Sequence, residues 1–329
     1  MRQSKLLASQ LQRRDPNAWT ALLCEQTGRD DLVVTAVSAK PITPHHKNGP
    51  RITRYLLLLA GHSDPISFLG RYIDPVEAAI FRDVAPRLPD LLPRCHFLHQ
   101  AMPNDGGWIV LDDVPNDILP ERWAVSDINA ILEKLANMHG LFLDRPTALT
   151  NAGLTTILDR KVMPWETLVA EQKAYFEEGP AAVLSEHALT QAGQLAPLFL
   201  QAANGLVVMR DLGGWPGILS ETHLTAVADL LDDPLPMLEP LRQLPQTLLH
   251  GDPNSSNWRL TVFEDQRLTE WQTAVIGPAV CDLVSFIEQF GLLETSEKSV
   301  GMKTRPLWPV NEETIIDTYL LALSQQMNG

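Results

Sequence analysis

The sequence predicts an α+β protein: a small antiparallel sheet followed by a larger, mainly helical part. Three observations carry this. Short apolar or β-branched runs broken by Gly, Pro and Asn crowd the first third of the 329 residues. Beyond Asp113 the apolar residues recur at helical spacing. With 45% of residues hydrophobic and 20% charged, the chain can bury a sizeable core and is too apolar for wholesale disorder. At roughly 100–200 residues per domain, the length fits two modest domains or one two-lobed unit.

Residues 1–30 read as a helical segment of two short helices, with Asp15-Pro16 starting the second, because Pro is tolerated in a first helical turn. Residues 31–112 carry the strands. Leu32–Val37, Ile52–Leu59 and Ile66–Leu69 predict three consecutive antiparallel strands. A helix is expected over Pro75–Val84 with Asp74 as its cap, then a buried strand at Trp108–Leu111. The turn Asp112–Asn116 leads into residues 113–329. There Ile128, Ile131, Leu132, Leu135 and Met138 share one face of a helix. Further amphipathic stretches are expected over Trp165–Glu178, Ser185–Asn204 and Glu312–Met327.

The net charge of −14 argues against a nucleic-acid binder, which normally shows a basic face. A local cation or basic side chain still allows an anionic ligand. Cys24, Cys95 and Cys281 are isolated and odd in number, with neither zinc-site nor disulfide spacing; they read as buried thiols in a reducing cytoplasm. Met1–Asp15 is polar and basic, without the apolar core of a secretion signal. No run approaches the roughly 18 apolar residues of a membrane span, and Tyr55–Gly61 is far too short, so no membrane association is expected.

The chemistry sits in His250-Gly251-Asp252-Pro253-Asn254-Ser255-Ser256-Asn257, followed by Glu270-Trp271, Gly277-Pro278 and Asp282-Leu283. An Asp, an Asn five residues on and a carboxylate thirteen further have a physical use. A loop between short strands can aim Asp252 at a substrate hydroxyl while Asn257 and Glu270 turn oxygens toward a divalent cation bridging nucleotide phosphates. Oxygen ligands beside water and phosphate are what Mg²⁺ prefers.

These ordered blocks resemble the aminoglycoside phosphotransferase and choline-kinase-like family, the small-molecule branch of the protein-kinase fold. The resemblance runs from about Asp31 to Phe290 and is most specific in the last third. Trp108–Asp113 resembles the strand entering the hinge between lobes, and Leu135–Gly140 the helix after it. The resemblance implies a bilobal protein-kinase-like fold, with a nucleotide-binding N-lobe over residues 31–112 and a helical C-lobe over 113–329 holding the catalytic loop and the acceptor region. It implies ATP or GTP with Mg²⁺, and a small-molecule hydroxyl acceptor. Asp252 then matches the catalytic aspartate, and Asn257 and Glu270 match the metal ligands. His250 and Asp282 match residues that support the loop. Asp112, Asp113 and Val114 fall at the hinge that holds the nucleotide.

Three departures stand out. Glu270 replaces the family's Asp, keeping the charge but moving the carboxylate by roughly an ångström or more. Arg71 stands where a lysine should meet the nucleotide phosphates, with Glu77 its ion-pair partner; Lys40 and Lys47 are rivals in or before the first turn. The covering loop Pro44–Pro50 holds one glycine instead of a glycine-rich cradle. They keep a second reading open: a weak or inactive pseudokinase acting as a nucleotide- or ligand-binding module.

Plainer readings apply elsewhere. His139 reads as a satisfied core histidine and His45-His46 as a solvated turn. Core packing is the default for Met163, Trp165 and Trp215, although they can also line an acceptor pocket. Between Asn151 and Leu249, 12 Asp and Glu face 5 Lys and Arg. That excess suits a cationic acceptor and equally a solvated acidic surface.

Overall fold

Helix α1 (Arg2–Gln12) and helix α2 (Pro16–Thr27) open the chain. Asp15 accepts a hydrogen bond from Asn17 N at 3.0 Å with Pro16 in the first turn, the start the sequence announces. The structure, a computed structural model, describes residues 2–42, 52–102, 105–159, 184–211, 220–263, 265–289 and 310–328. The expected loop at Pro44–Pro50 with His45, His46 and Lys47, the stretch Trp165–Glu178, and Met163 and Trp215 lie outside these residues.

Strands β1 (Val34–Ile42), β2 (Ile52–Leu59), β3 (Ile66–Ile73), β4 (Cys95–Gln100) and β5 (Gly107–Asp112) form one antiparallel sheet in the order β1-β2-β3-β5-β4. Strand β3 runs on to Ile73 and so carries Arg71 inside the sheet, opposite Ile109. The sequence did not announce β4, because all six of its residues are half-buried and no apolar alternation marks them.

The two faces of the sheet are buried differently. On the outer face Tyr55, Leu57, Phe68, Trp108 and Val110 pack against Leu11, Trp19, Leu22 and Leu23 of the first two helices. Gly70 makes this possible: a Cβ there would lie 2.6 Å from Tyr55 Cε2 and 3.0 Å from Trp108 Cζ2. On the inner face Ile73, Ile109 and Leu111 join the largest core. Helix α3 (Pro75–Ala79) begins there, Asp74 capping it through Glu77 N at 2.7 Å. The chain then widens into a π turn over Ile80–Val84, so the expected helix ends where predicted but is not α-helical throughout.

The helical part begins with α4 (Val125–Phe142), which buries all five apolar residues predicted for one face. It packs against the last helix, α11 (Glu312–Asn328); between them come α5 (Pro146–Asn151), α6 (Glu186–Ala192), α7 (Ala196–Asp211), α8 (Glu221–Asp232), α9 (Leu235–Arg242) and α10 (Val280–Glu288). A tight turn, Gly193–Leu195, separates α6 from α7 where one stretch was expected. The run His187–Arg210 is by length and composition apolar enough to cross a membrane, with 39% of its apolar window buried. Its Ala192, Ala196, Phe199 and Ala203 pack against Leu158, Leu231 and Leu238.

Two short ribbons complete this part. Strand β6 (Gln246–Leu249) pairs with β9 (Val275–Pro278), and β7 (Trp258–Leu260) with β8 (Gln266–Leu268). The loop 250–257 joins β6 to β7, and Glu270 lies between β8 and β9. The sequence motif therefore becomes one spatial cluster.

Candidate active site

The loop turns at Gly251, whose φ is +82°, and a Cβ there would lie 2.3 Å from Thr273 O, so glycine is required. Beyond that turn two side-chain amides hold Asp252. Asn254 Nδ2 donates to Oδ1 at 2.6 Å and Asn257 Nδ2 to Oδ2 at 3.1 Å. Asn257 Nδ2 also reaches Asp252 O at 2.8 Å. Asn254 is fixed in turn by Ser256 N at 2.9 Å, an Asx turn. Ser255 N donates to Gln289 Oε1 at 2.5 Å. Asn254 and Gln289 were not among the residues expected to matter. A polar residue two positions past Asp252 was the available signal for Asn254; none existed for Gln289.

Beneath the loop lies a buried network. Asp282, in the first turn of α10, accepts His250 N at 2.7 Å and Gly251 N at 2.9 Å. His139 Nε2 lies 3.3 Å from the same carboxylate, and its Nδ1 is 2.7 Å from Tyr319 Oη on α11. His139 is thus fully buried and bonded on both ring nitrogens. His250 Nδ1 accepts Asp252 N at 3.2 Å, so its Nε2 donates to Thr269 O at 2.9 Å. Burial pushes the His250 imidazole pKa down, against the opposing pull of Asp282, and favours this neutral form. Trp271 stands edge-on to the ring at 4.7 Å between centroids.

Glu270 follows with φ +64° and ψ 62°, a left-handed conformation that costs a non-glycine residue on the order of 1–3 kcal/mol. The fully buried Trp271, its indole donating to Leu268 O at 2.9 Å, anchors that turn. The Glu270 carboxylate stays 32% exposed and lies 4.0 Å from Arg71 Nη2. Arg71 also donates through Nη2 to Glu77 Oε1, and both of these side chains are buried. Burial, reinforced by Glu270, pushes the Glu77 carboxyl up to about 7 against the pull of Arg71. The structure thus brings Arg71, Glu77 and Glu270 together. Arg259, two residues past Asn257, adds a charge that acts on Glu270 and bonds Ser256 O at 2.9 Å; sequence reasoning missed it.

The expected hinge leaves the end of β5. Asp112 Oδ1 meets His96 Nε2 at 2.6 Å. Asp113 takes Arg54 on both oxygens, at 2.5 and 3.1 Å, and Ser67 Oγ at 2.5 Å. Val114 follows, half-buried. The carboxylates therefore bind the crossing segment to the sheet. Cys24, Cys95 and Cys281 are unpaired, and burial raises Cys95 to about 12 and Cys281 to about 11, which leaves both as thiols.

Several solved structures are similar to this chain at low identity. The spectinomycin phosphotransferase APH(9)-Ia is 12% identical, over 93% of this chain and 79% of that one, with a TM-score of 0.47. A choline kinase from Cryptosporidium parvum Iowa II is 13% identical, over 89% and 73%, with a TM-score of 0.45. The macrolide 2'-phosphotransferase MphH from Brachybacterium faecium is 13% identical, over 92% and 82%, with a TM-score of 0.41. No curated protein matches the sequence significantly. The phosphotransferase enzyme family, APH, matches residues 77–297, from Glu77 through the loop and past Asp282. With the antiparallel sheet and the larger helical part, the fold is the bilobal α+β protein-kinase-like one, and the chain belongs to the phosphotransferase enzyme family.

Proposed function

We propose that the chain transfers the terminal phosphoryl group of ATP or GTP to a hydroxyl of a small molecule, with Mg²⁺ as cofactor. One observation carries the reading: Asp252 is held by two amides on a loop whose Asn257 and neighbouring Glu270 present further oxygens. In this reading Asp252 takes the acceptor's proton as the new O–P bond forms. The bond from the terminal phosphorus to the bridging oxygen breaks, and the nucleoside diphosphate leaves.

The donor set fits the ion. Asn257 commits its amide nitrogen to Asp252, leaving its amide oxygen as the donor, and Glu270 keeps an accessible carboxylate. One amide oxygen and one carboxylate beside phosphate oxygens are a set that Mg²⁺ takes. Bound there, the ion would neutralise charge developing on the phosphoryl group. Arg71 would steady the phosphates, oriented by Glu77, and the base would lie against Asp112–Val114. His250 and Asp282 act as positioning residues. Residues 31–112 then serve the nucleotide, and 113–329 carry the catalytic loop and the acceptor region, behind the helical segment 1–30. The acidic excess over Asn151–Leu249 favours a cationic acceptor, and the unpaired cysteines favour a reducing, cytoplasmic setting.

The test is phosphoryl transfer from ATP and from GTP to a panel of amino sugars and amino alcohols. Asp252→Ala is expected to lose roughly 10²–10⁴-fold in rate with unchanged melting and nucleotide binding. Full activity in that variant overturns the assignment. A second reading, a nucleotide- or ligand-binding module without turnover, draws on Arg71, whose guanidinium is engaged by two carboxylates. Turnover in the transfer assay separates the two, and a thermal-shift titration tests the nucleotide site they share, because a ligand specific to the folded state must raise its stability. A Mg²⁺-dependent nucleotide shift lost in Glu270→Gln supports the metal site; no shift at millimolar nucleotide removes the nucleotide from both readings.

A further inference from the structure

The core does not seal the whole inner face of the sheet. Tyr55, Leu57 and Phe68 belong to the outer face, so alternation along β2 and β3 turns Arg54, Ser67, Leu69 and Arg71 inward. Arg71 is buried against Glu77, whereas Arg54 and Leu69 stay half-buried and outside the large core. Arg54 stands opposite Leu69, two residues along β3 from Arg71. That diagonal is about 7–8 Å. One nucleotide can therefore reach both arginines.

The segment that leaves β5 holds Arg54 in place. Arg54 Nε and Nη2 donate to the two oxygens of Asp113 at 2.5 and 3.1 Å, and Ser67 Oγ donates to the same carboxylate at 2.5 Å. Three donors thus occupy Asp113, whose side chain is only 9% exposed, and little of it is left for a ligand. Arg54 differs: its side chain is 43% exposed, and Nη1 takes no partner among the described residues. The bidentate grip fixes the plane of the guanidinium and leaves its outer edge, Nη1 and the second hydrogen of Nη2, as two parallel donors.

The geometry of that edge selects the ligand. Asp113 neutralises the guanidinium, so what remains is direction more than charge. Two parallel N–H groups match two adjacent acceptors. Guanine offers such a pair in O6 and N7, whereas adenine sets an amino donor beside N7 and is better met by Asn or Gln. We propose that Arg54, buttressed by Asp113, reads the O6/N7 edge of guanine and makes the chain select guanine over adenine nucleotides. This rests on the nucleotide reading above, in which the base lies against Asp112–Val114.

Calorimetric titration of the full chain with GDP, inosine diphosphate and ADP, each with Mg²⁺, tests it. GDP is expected to bind about tenfold to a hundredfold tighter than ADP, the discrimination of one bidentate contact. Inosine diphosphate keeps O6 and N7 but lacks the 2-amino group, and it should bind as GDP does. Arg54→Gln, whose amide suits the adenine edge, should bring GDP and inosine diphosphate to the level of ADP or below it. Circular dichroism confirms that the variant is folded, and the three-nucleotide comparison on the wild type needs no variant. ADP binding as tightly as GDP overturns the proposal and leaves the nucleotide site in place. Inosine diphosphate binding as weakly as ADP also overturns it, because recognition would then run through the 2-amino group. So does an equal loss of all three in Arg54→Gln, which would make Arg54 a phosphate contact. No binding of any of the three at millimolar concentration overturns the nucleotide reading and this proposal with it.

Discussion

The loop around Asp252 and the cluster around Arg71 are built on opposite principles. Around Asp252 nearly every position is fixed by hydrogen bonds from several elements. Asp282 holds two loop amides, Asn254 and Asn257 hold the carboxylate, and Thr273 Oγ1 donates to His250 O at 3.0 Å. Around Arg71 three charges meet at a β3 residue, with one hydrogen bond and a longer ion pair among them. The first region is over-determined and indifferent to small changes in charge. The second is set by electrostatics in a poorly solvated place, so its properties follow protonation state and side-chain reach.

The largest expected effect breaks the first region. Asp282→Ala strands the His250 and Gly251 amides in the interior, and each buried donor left unpaired costs about 1–3 kcal/mol. Urea unfolding should show a loss of about 3–5 kcal/mol. A loss below about 1 kcal/mol, the scale of an ordinary hydrogen bond, would mean that the loop is held by packing alone.

A smaller effect sharpens the second region. Because burial raises Glu77 from 4.5 to about 7, the folded state keeps a proton that the unfolded chain has already released. Stability contributed by this group is therefore present below pH 4.5 and is lost as pH rises to about 7. The slope should approach about 1.4 kcal/mol per pH unit at most, and Glu77→Gln should remove it. An identical slope in the variant would assign the pH dependence to other groups.

The smallest effect divides the two amides on Asp252. Asn254→Ala removes its hydrogen bond to Asp252 Oδ1 and the two that Ser256 N and Oγ give to its own Oδ1, all at least partly exposed, with an expected stability loss of about 1–2 kcal/mol. Its signature is kinetic: kcat should fall while KM for nucleotide stays constant, because Asn254 touches only Asp252 and the loop. A rise in nucleotide KM would put Asn254 in the nucleotide site instead.

The comparison also explains what the sequence could reveal. The cluster around Asp252 was legible as a cluster because its parts are near in sequence and each needs a particular residue type. Helix α4 was legible for a similar reason, with five apolar residues repeating at one period and all of them buried. Strand β4 was hidden because half-burial of every residue erases alternation. Strands β6 and β9 are four residues each, too short for a pattern to stand out. The bracing of Asp282 by His139 and Tyr319 joins parts of the chain 143 and 180 residues apart, which no local spacing can encode. Asn254 was overlooked because its turn-forming role, common for Asn, concealed its contact with Asp252.

That long-range brace orders events during synthesis. Asp282 can meet the His250 and Gly251 amides only after another thirty-odd residues have been made, and the Tyr319–His139 bond must wait for residue 319. A ribosome adding about 5–20 residues per second reaches Tyr319 roughly 3–14 seconds after His250. Throughout that interval the nascent chain carries its phosphotransferase motif in translated form but without the tyrosine that completes its support.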